Sequence, residues 1–152
     1  MPPSVPDEGL EMPFTVDAFH HGKYHLVQPK GGHRAGMDAM LLAATVPDGA
    51  GGRVADLGSG AGAAGLAVAA RVPGVAVTLV ERSDVMLDFA RRTMALEQND
   101  WLRERVEVVG ADVTLRGDAR RAAGLGDDAF DWVILNPPFN DPSDRRTPDP
   151  LR

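Results

Sequence analysis

The sequence predicts an α/β fold built around a parallel sheet, and three observations carry that reading. From Arg53 onward, short apolar runs alternate with amphipathic stretches of helical period, the pattern of strands joined by crossover helices. A glycine-rich loop follows the first of those runs directly, and a proline pair closes the last. With 152 residues, 43% of them hydrophobic, the chain can fill one core and is too short for two ordinary domains.

Residues 1–13 hold Pro2, Pro3, Pro6 and Pro13 among acids, a composition that cannot offset its ordering entropy, so a flexible tail is expected. Residues 14–47 read as a hairpin and a helix. Thr15–Phe19 and Tyr24–Gln28 are β-prone runs around a turn containing Gly22, and the Ala- and Leu-rich Asp38–Val46 is stopped by Pro47-Asp48-Gly49. Residues 48–139 form the expected sheet core, with strands at Val54–Leu57, Ala76–Glu81, Val106–Gly110 and Asp131–Leu135. Helices are expected at Gly62–Arg71 and Val85–Leu96, the second with Met86, Phe89, Ala90, Thr93 and Met94 on one face, and a weaker one at Leu115–Ala123. Residues 140–152 carry Pro142, Pro148 and Pro150 among charges and read as the disordered start of a substrate loop.

Composition narrows the function. Sixteen basic against 22 acidic residues give a net charge of −6, which disfavours broad contact with a phosphate backbone, so any nucleic-acid contact must be local. With no cysteine there is neither a disulfide framework nor a thiolate metal site, and no metal is expected from the four histidines, which lack a nearby carboxylate partner. The first dozen residues lack a basic start followed by an apolar run, and no apolar stretch approaches the ~20 residues of a membrane span; a cytoplasmic protein is expected.

The strongest local signal is the run from Val54 to Leu57 into Gly58-Ser59-Gly60-Ala61-Gly62. Alternate glycines let the backbone turn sharply and approach a ligand without a Cβ in the way. The helix that follows offers unpaired N–H groups at its positive end. Glu81, ending the second strand, is expected beside this loop, where a carboxylate can accept from both ribose hydroxyls. Loop and acid together describe a nucleoside pocket, with Ser59, Arg82 and Val113 as further candidates for its wall. Gly60-Ala61-Gly62-Ala63-Ala64-Gly65 also fits the pattern of dinucleotide binders, so an NAD-dependent oxidoreductase remains an alternative.

Two acids favour another cofactor. Asp56, two residues before the first glycine, resembles the acid in the D-x-G-x-G loop of class I methyltransferases, and Asp112, just after the third strand, is placed like the acid those enzymes set near the adenine amine. The resemblance implies a Rossmann-like sheet that binds S-adenosyl-L-methionine (AdoMet). Asn136-Pro137-Pro138-Phe139, at the end of the fourth strand, is similar to the proline motif of methyltransferases acting on amines conjugated to planar systems. Such a nitrogen is a poor nucleophile because its lone pair is delocalised; two acceptors must hold it in line with the donor methyl. By the resemblance these are the Asn136 side-chain oxygen and the Pro137 carbonyl. Two prolines supply no N–H and stiffen the turn, and Phe139 would stack on the base. No general base is needed, since the proton can leave to water.

Upstream, Thr15-Val16-Asp17-Ala18-Phe19 and Gly32-His33-Arg34-Ala35-Gly36-Met37-Asp38-Ala39-Met40-Leu41-Leu42 resemble the N-terminal segment of the bacterial valine-tRNA adenine-N6 methyltransferase family. That likeness implies an RNA substrate, tRNA, methylated at adenine N6, with Gly36 and Asp38 over the methionine end of AdoMet. Many relatives carry a small hydroxyl residue where this chain has Met37. A complete class I methyltransferase sheet has seven strands against four countable here, so the sequence reads as truncated after the fourth strand, with an exposed edge and a pocket that a homodimer could complete. His20, His21, His25 and His33 with Lys23, Lys30 and Arg34 make a locally basic hairpin able to touch RNA phosphate, whereas Arg145 and Arg146 fit a solvated loop better than a second contact. The alternatives are a methyltransferase of glutamine amides or of guanine or cytosine amines, and a non-catalytic AdoMet-binding fragment.

Overall fold

A computed structural model describes residues 12–32 and 34–137 of the chain. Strands β1 (Phe14–Phe19) and β2 (Tyr24–Pro29) form the antiparallel hairpin, in register from Phe14 opposite Pro29 to Phe19 opposite Tyr24. Its turn takes three consecutive left-handed residues, His20 and His21 (φ 50° and 56°) as well as Gly22 (φ 79°). β1 alternates in exposure while β2 is buried almost throughout, so β2 lies on the core. Helix α1 (Met37–Ala43) follows. It ends three residues earlier than the composition suggests, because the Arg71 guanidinium takes up the Ala43 and Val46 carbonyls and helps turn the chain there.

The sheet itself has four parallel strands: β3 (Gly52–Leu57), β4 (Val75–Glu81), β5 (Val106–Gly110) and β6 (Trp132–Leu135), in the order β5-β4-β3-β6. Between them run α2 (Ala63–Arg71), α3 (Asp84–Ala95) and α4 (Gly117–Ala122). α3 starts at Ser83, whose hydroxyl accepts from the Met86 N–H as an N-cap. The sequence gives no warning of the 3-10 turn at Glu97–Leu102. Its anchor is Asn99, fully buried, which exchanges hydrogen bonds with the backbone of His25 (2.9 and 2.8 Å) and donates to the Thr93 carbonyl (2.7 Å).

Hairpin and sheet share one core: Tyr24 and Leu26 pack with Val54, Leu66, Val68, Val77, Leu79 and Ile134. β6 is the edge of the described sheet, and it leaves Val133 and Leu135 exposed. The strand order reverses at β3, which has β4 on one side and β6 on the other. A crevice opens at the carboxyl ends of strands at such a switch point, where ligands bind in α/β sheets. The register sets Leu57 opposite Leu135, so Gly58 and Asn136, the next residue of each strand, emerge side by side into that crevice. Among the described residues, no helix is long and apolar enough to cross a membrane.

Candidate functional site

The crevice is a cavity of about 570 Å³, within the range of small-molecule and cofactor sites. Its floor is the loop after β3. Gly58, Gly60 and Gly62 all have positive φ (71°, 55° and 105°), which only glycine adopts without strain. Gly58 and Ser59 both donate to the Val80 carbonyl (2.8 and 3.0 Å), folding the loop across the end of β4. Asp56, buried at 2% exposure, accepts from the Gly65 N–H at 2.9 Å and so ties the end of β3 to the first turn of α2. Burial pushes its carboxyl up to about 7; the Gly65 N–H opposes the shift and the Glu81 charge adds to it. Gly65 must be small for the helix to sit this close: a Cβ there would lie 2.4 Å from Leu79 Cδ2.

Glu81, expected to accept from ribose hydroxyls, stands beside the loop and accepts from three backbone N–H groups. Its Oε2 accepts from Gly60 N–H (2.8 Å) and its Oε1 from Arg82 N–H and Ser83 N–H (2.9 Å each). A carboxylate has about four acceptor directions, so this one chiefly braces the loop and keeps one direction, on Oε2, for a ligand hydroxyl. Asp112 takes the Thr114 hydroxyl and N–H on Oδ1 (2.7 and 2.8 Å), which, with the Arg82 charge, holds its carboxyl below the usual range. Between Glu81 and Asp112 the wall is apolar, formed by Met86, Ala111 and Val113. Apolar surface between two acids suits a nucleoside.

At the far end stand Asn136 and Pro137. The Asn136 Nδ2 donates to Asp38 Oδ2 at 2.8 Å, linking the end of β6 to the first turn of α1 across 98 residues of sequence. Above them, Gln28 accepts from the Ala35 N–H (2.9 Å) and donates to Asp17 (2.8 Å), while Arg34 bonds Asp17 (2.7 Å), Thr15 (3.1 Å) and the Pro29 carbonyl (2.7 Å). These bonds, with that of the Thr15 hydroxyl foremost, lower the Asp17 carboxyl. Arg34 is therefore engaged by the hairpin, bracing Pro29, which lines the cavity. Among the described residues of the basic hairpin expected to meet phosphate, Lys23 and Lys30 are the exposed lysines.

Of the residues singled out from sequence, the structure brings Asp38, Asp56, Gly58, Ser59, Gly60, Glu81, Arg82, Asp112, Val113, Asn136 and Pro137 to one cavity. Gly36 and Gly62 stand behind it as the N-caps of α1 and α2. Pro138, Phe139, His33, Arg145 and Arg146 lie outside the described residues. The sequence reading missed Gln28, Ala35 and Thr114. A glutamine in an otherwise apolar run, Leu26-Val27-Gln28-Pro29, was the available signal for the first, since a buried amide needs partners. Among the described residues no cluster of His, Cys, Asp and Glu could hold a metal ion.

A sequence profile of the methyltransferase small domain family matches residues 34–148, which include the loop, Glu81, Asp112 and the proline motif. The chain belongs to that family. Curated relatives of this methyltransferase small domain include the ribosomal RNA small subunit methyltransferase C of Haemophilus influenzae (strain PittEE), 32% identical over 101 residues, and that of Pasteurella multocida, 34% identical. In both cases the match spans 66% of this chain and 26% of the relative, so the chain corresponds to about a quarter of their length. Among solved structures, that of a predicted O-methyltransferase from Agrobacterium tumefaciens is 56% identical, with a TM-score of 0.63, over 66% of this chain and 49% of that one. M. jannaschii TYW2 in complex with AdoMet shares the fold at 15% identity, with a TM-score of 0.54 over 79% of this chain and 49% of that one. The fold is that of class I methyltransferases.

Proposed function

We propose that this methyltransferase small domain carries the AdoMet-binding and amine-recognition parts of an RNA methyltransferase acting on an exocyclic base amine. The observation that supports this most is the joining of two separate motifs in one cavity, with Gly58 and Asn136 emerging from paired strand ends. The residues present fit the cofactor: Gly58 has open space where a Cβ would stand, Glu81 keeps an acceptor direction, and Met86, Ala111 and Val113 offer apolar wall between two acids.

When bound, AdoMet supplies an electrophilic methyl group on its sulfonium. Glu81 and Asp112 hold the nucleoside, and the loop from Gly58 to Gly62 lets the backbone approach it. Asn136 Oδ1 and the Pro137 carbonyl accept from the target amine, so its lone pair points at the donor rather than into the ring. Pro138 stiffens the turn and Phe139 stacks on the base, an interaction that contributes ~1–3 kcal/mol. Lys23 and Lys30 meet the phosphate backbone; reversing both charges should lower RNA affinity and flatten its salt dependence by about 0.7 to 0.9 in slope per contact.

The finer assignment is adenine N6 in tRNA, supported by the likeness of Thr15–Leu42 to the valine-tRNA family. A second reading, small-subunit rRNA, is favoured by the names of the curated relatives. The protein is incubated with labelled AdoMet and either unmodified tRNA or small-subunit rRNA, and the nucleosides are mapped by mass spectrometry. N6-methyladenosine in tRNA is the expected product; label in rRNA alone moves the assignment to the second reading, and label only on protein overturns both. Asn136→Ala should cut transfer by about 100-fold or more, the scale of losing an aligned transition-state contact, while AdoMet affinity by calorimetry stays unchanged and NAD gives no heat.

A further inference from the structure

We infer that Asp38 fixes which end of the Asn136 carboxamide is turned toward a substrate, and thereby restricts the site to groups that donate a hydrogen bond. This rests on the reading of Asn136 as the residue that receives the target amine.

A carboxamide is nearly symmetric in shape and opposite in chemistry at its two ends: the oxygen only accepts and the NH₂ only donates. Left alone, Asn136 could present either end with little steric difference. An ionised carboxylate only accepts. With Asp38 Oδ2 at 2.8 Å, the Nδ2 end is turned to Asp38, because the reverse would set two oxygens against each other. The charge of Asp38 therefore dictates the orientation, and Oδ1 becomes the end not engaged by Asp38. Pro137, next in the chain, has no N–H to offer and contributes only a carbonyl. Asp38 is itself held in place. Its neighbour Ala39 is buried in the core, and the segment leading to it is tied through the Ala35 N–H to Gln28, itself 3% exposed.

The consequence is chemical selectivity. A cavity end that presents Oδ1 accepts from an exocyclic amine and repels a ring carbonyl or an unprotonated ring nitrogen. Asp38 is thus a positioning residue that acts through Asn136, and its substitution should separate transfer from cofactor binding.

Asp38→Asn tests this, since it keeps shape and removes the charge, leaving an amide that can either donate or accept. In the ¹⁵N-labelled chain, one Nδ2 proton of Asn136 should resonate downfield and exchange slowly, and Asp38→Asn should abolish that signature. At saturating AdoMet, where any change in cofactor affinity drops out, kcat for transfer to RNA should fall by up to about 100-fold, the scale of a misplaced reacting group. Asp38→Glu, which restores the charge on a longer stem, should recover part of the rate. An Asn136 signal identical in Asp38→Asn refutes the inference whatever the activity. So does a variant that loses only AdoMet affinity and keeps kcat, which would make Asp38 a cofactor ligand. If the unsubstituted protein transfers no methyl group to either RNA, the reaction assigned to the site has failed, and the amide signal alone still decides whether Asp38 orients Asn136.

Discussion

On the β3 side of the cavity, buried carboxylates tie the loop to backbone amides at Gly60, Gly65, Arg82 and Ser83, whereas on the β6 side, among the described residues, Asn136 pairs with Asp38 through side chains at the end of the edge strand. The contrast follows what each side must do. A ligand of constant shape can be met by a backbone fixed in advance, and fixing it takes buried acids and glycines that tolerate no neighbour. On the function proposed above, the β6 side receives the substrate, so its contacts matter more for the reaction than for the fold. Substitutions on the β3 side should therefore register in stability and cofactor affinity together, and those at Asn136 and Asp38 chiefly in turnover.

The largest expected effect is the pH dependence that Asp56 confers on the β3 side. Its folded-state carboxyl titrates at about 7 against 3.8 for the ordinary group, so the folded chain holds this proton more tightly than the unfolded chain. Stability from this group is then full below pH 3.8, falls as pH rises toward about 7, and is level above it. At 1.36 kcal/mol per unit the ceiling is about 4 kcal/mol. Asp56→Asn keeps an acceptor for the Gly65 N–H and carries no charge. Urea unfolding at pH 5 and pH 8 should show a flatter pH dependence in the variant and a more stable variant at pH 8; an unchanged slope would mean Asp56 is solvated.

Next in size is Glu81→Gln. An amide can satisfy the Gly60 N–H or the Arg82 and Ser83 N–H groups with its oxygen, and its NH₂ then faces the other donors. Leaving partly buried donors unpaired and removing a charge-assisted acceptor should cost about 2 kcal/mol. Both the unfolding midpoint and AdoMet affinity should fall. A loss confined to affinity would instead make Glu81 mainly a ligand contact.

Most of the fold was legible because strands and helices leave periodic traces. Each expected strand lies within a few residues of its place, and the glycine loop announced itself by spacing. What could not be read were contacts that join distant segments through one side chain. Nothing in the neighbourhood of Asn99 marks it as a clamp on β2, and nothing near Asp38 marks it as the partner of Asn136, because hydrogen bonds spanning 74 and 98 residues have no period. Glu81 was placed correctly at the end of β4, but its occupation by three N–H groups depends on how the loop folds back over it. Arg34 read as a surface cation because its partner, Asp17, sits across the hairpin.

The smallest effects come from two glycines of the same loop region, and they separate its structural from its ligand-facing part. In Gly65→Ala the new methyl would lie 2.4 Å from Leu79 Cδ2, 3.0 Å from Asp56 Oδ2 and 3.1 Å from Val77 Cγ1. Leu79 is fully buried, so the helix must shift, and a loss of about 2 kcal/mol is expected, as for other overpacked cores. In Gly58→Ala the methyl meets no atom within 4 Å, and only the left-handed φ of 71° resists it, at a cost of roughly 1 kcal/mol. Stability should therefore fall less for Gly58→Ala than for Gly65→Ala. Because Gly58 lines the cavity, its methyl stands where a close-lying ligand would, and AdoMet affinity should drop by about tenfold, equivalent to about 1.4 kcal/mol. If Gly58→Ala binds AdoMet as well as the parent chain does, the cofactor does not approach the loop backbone at Gly58, and the reason for a glycine there reduces to its φ alone.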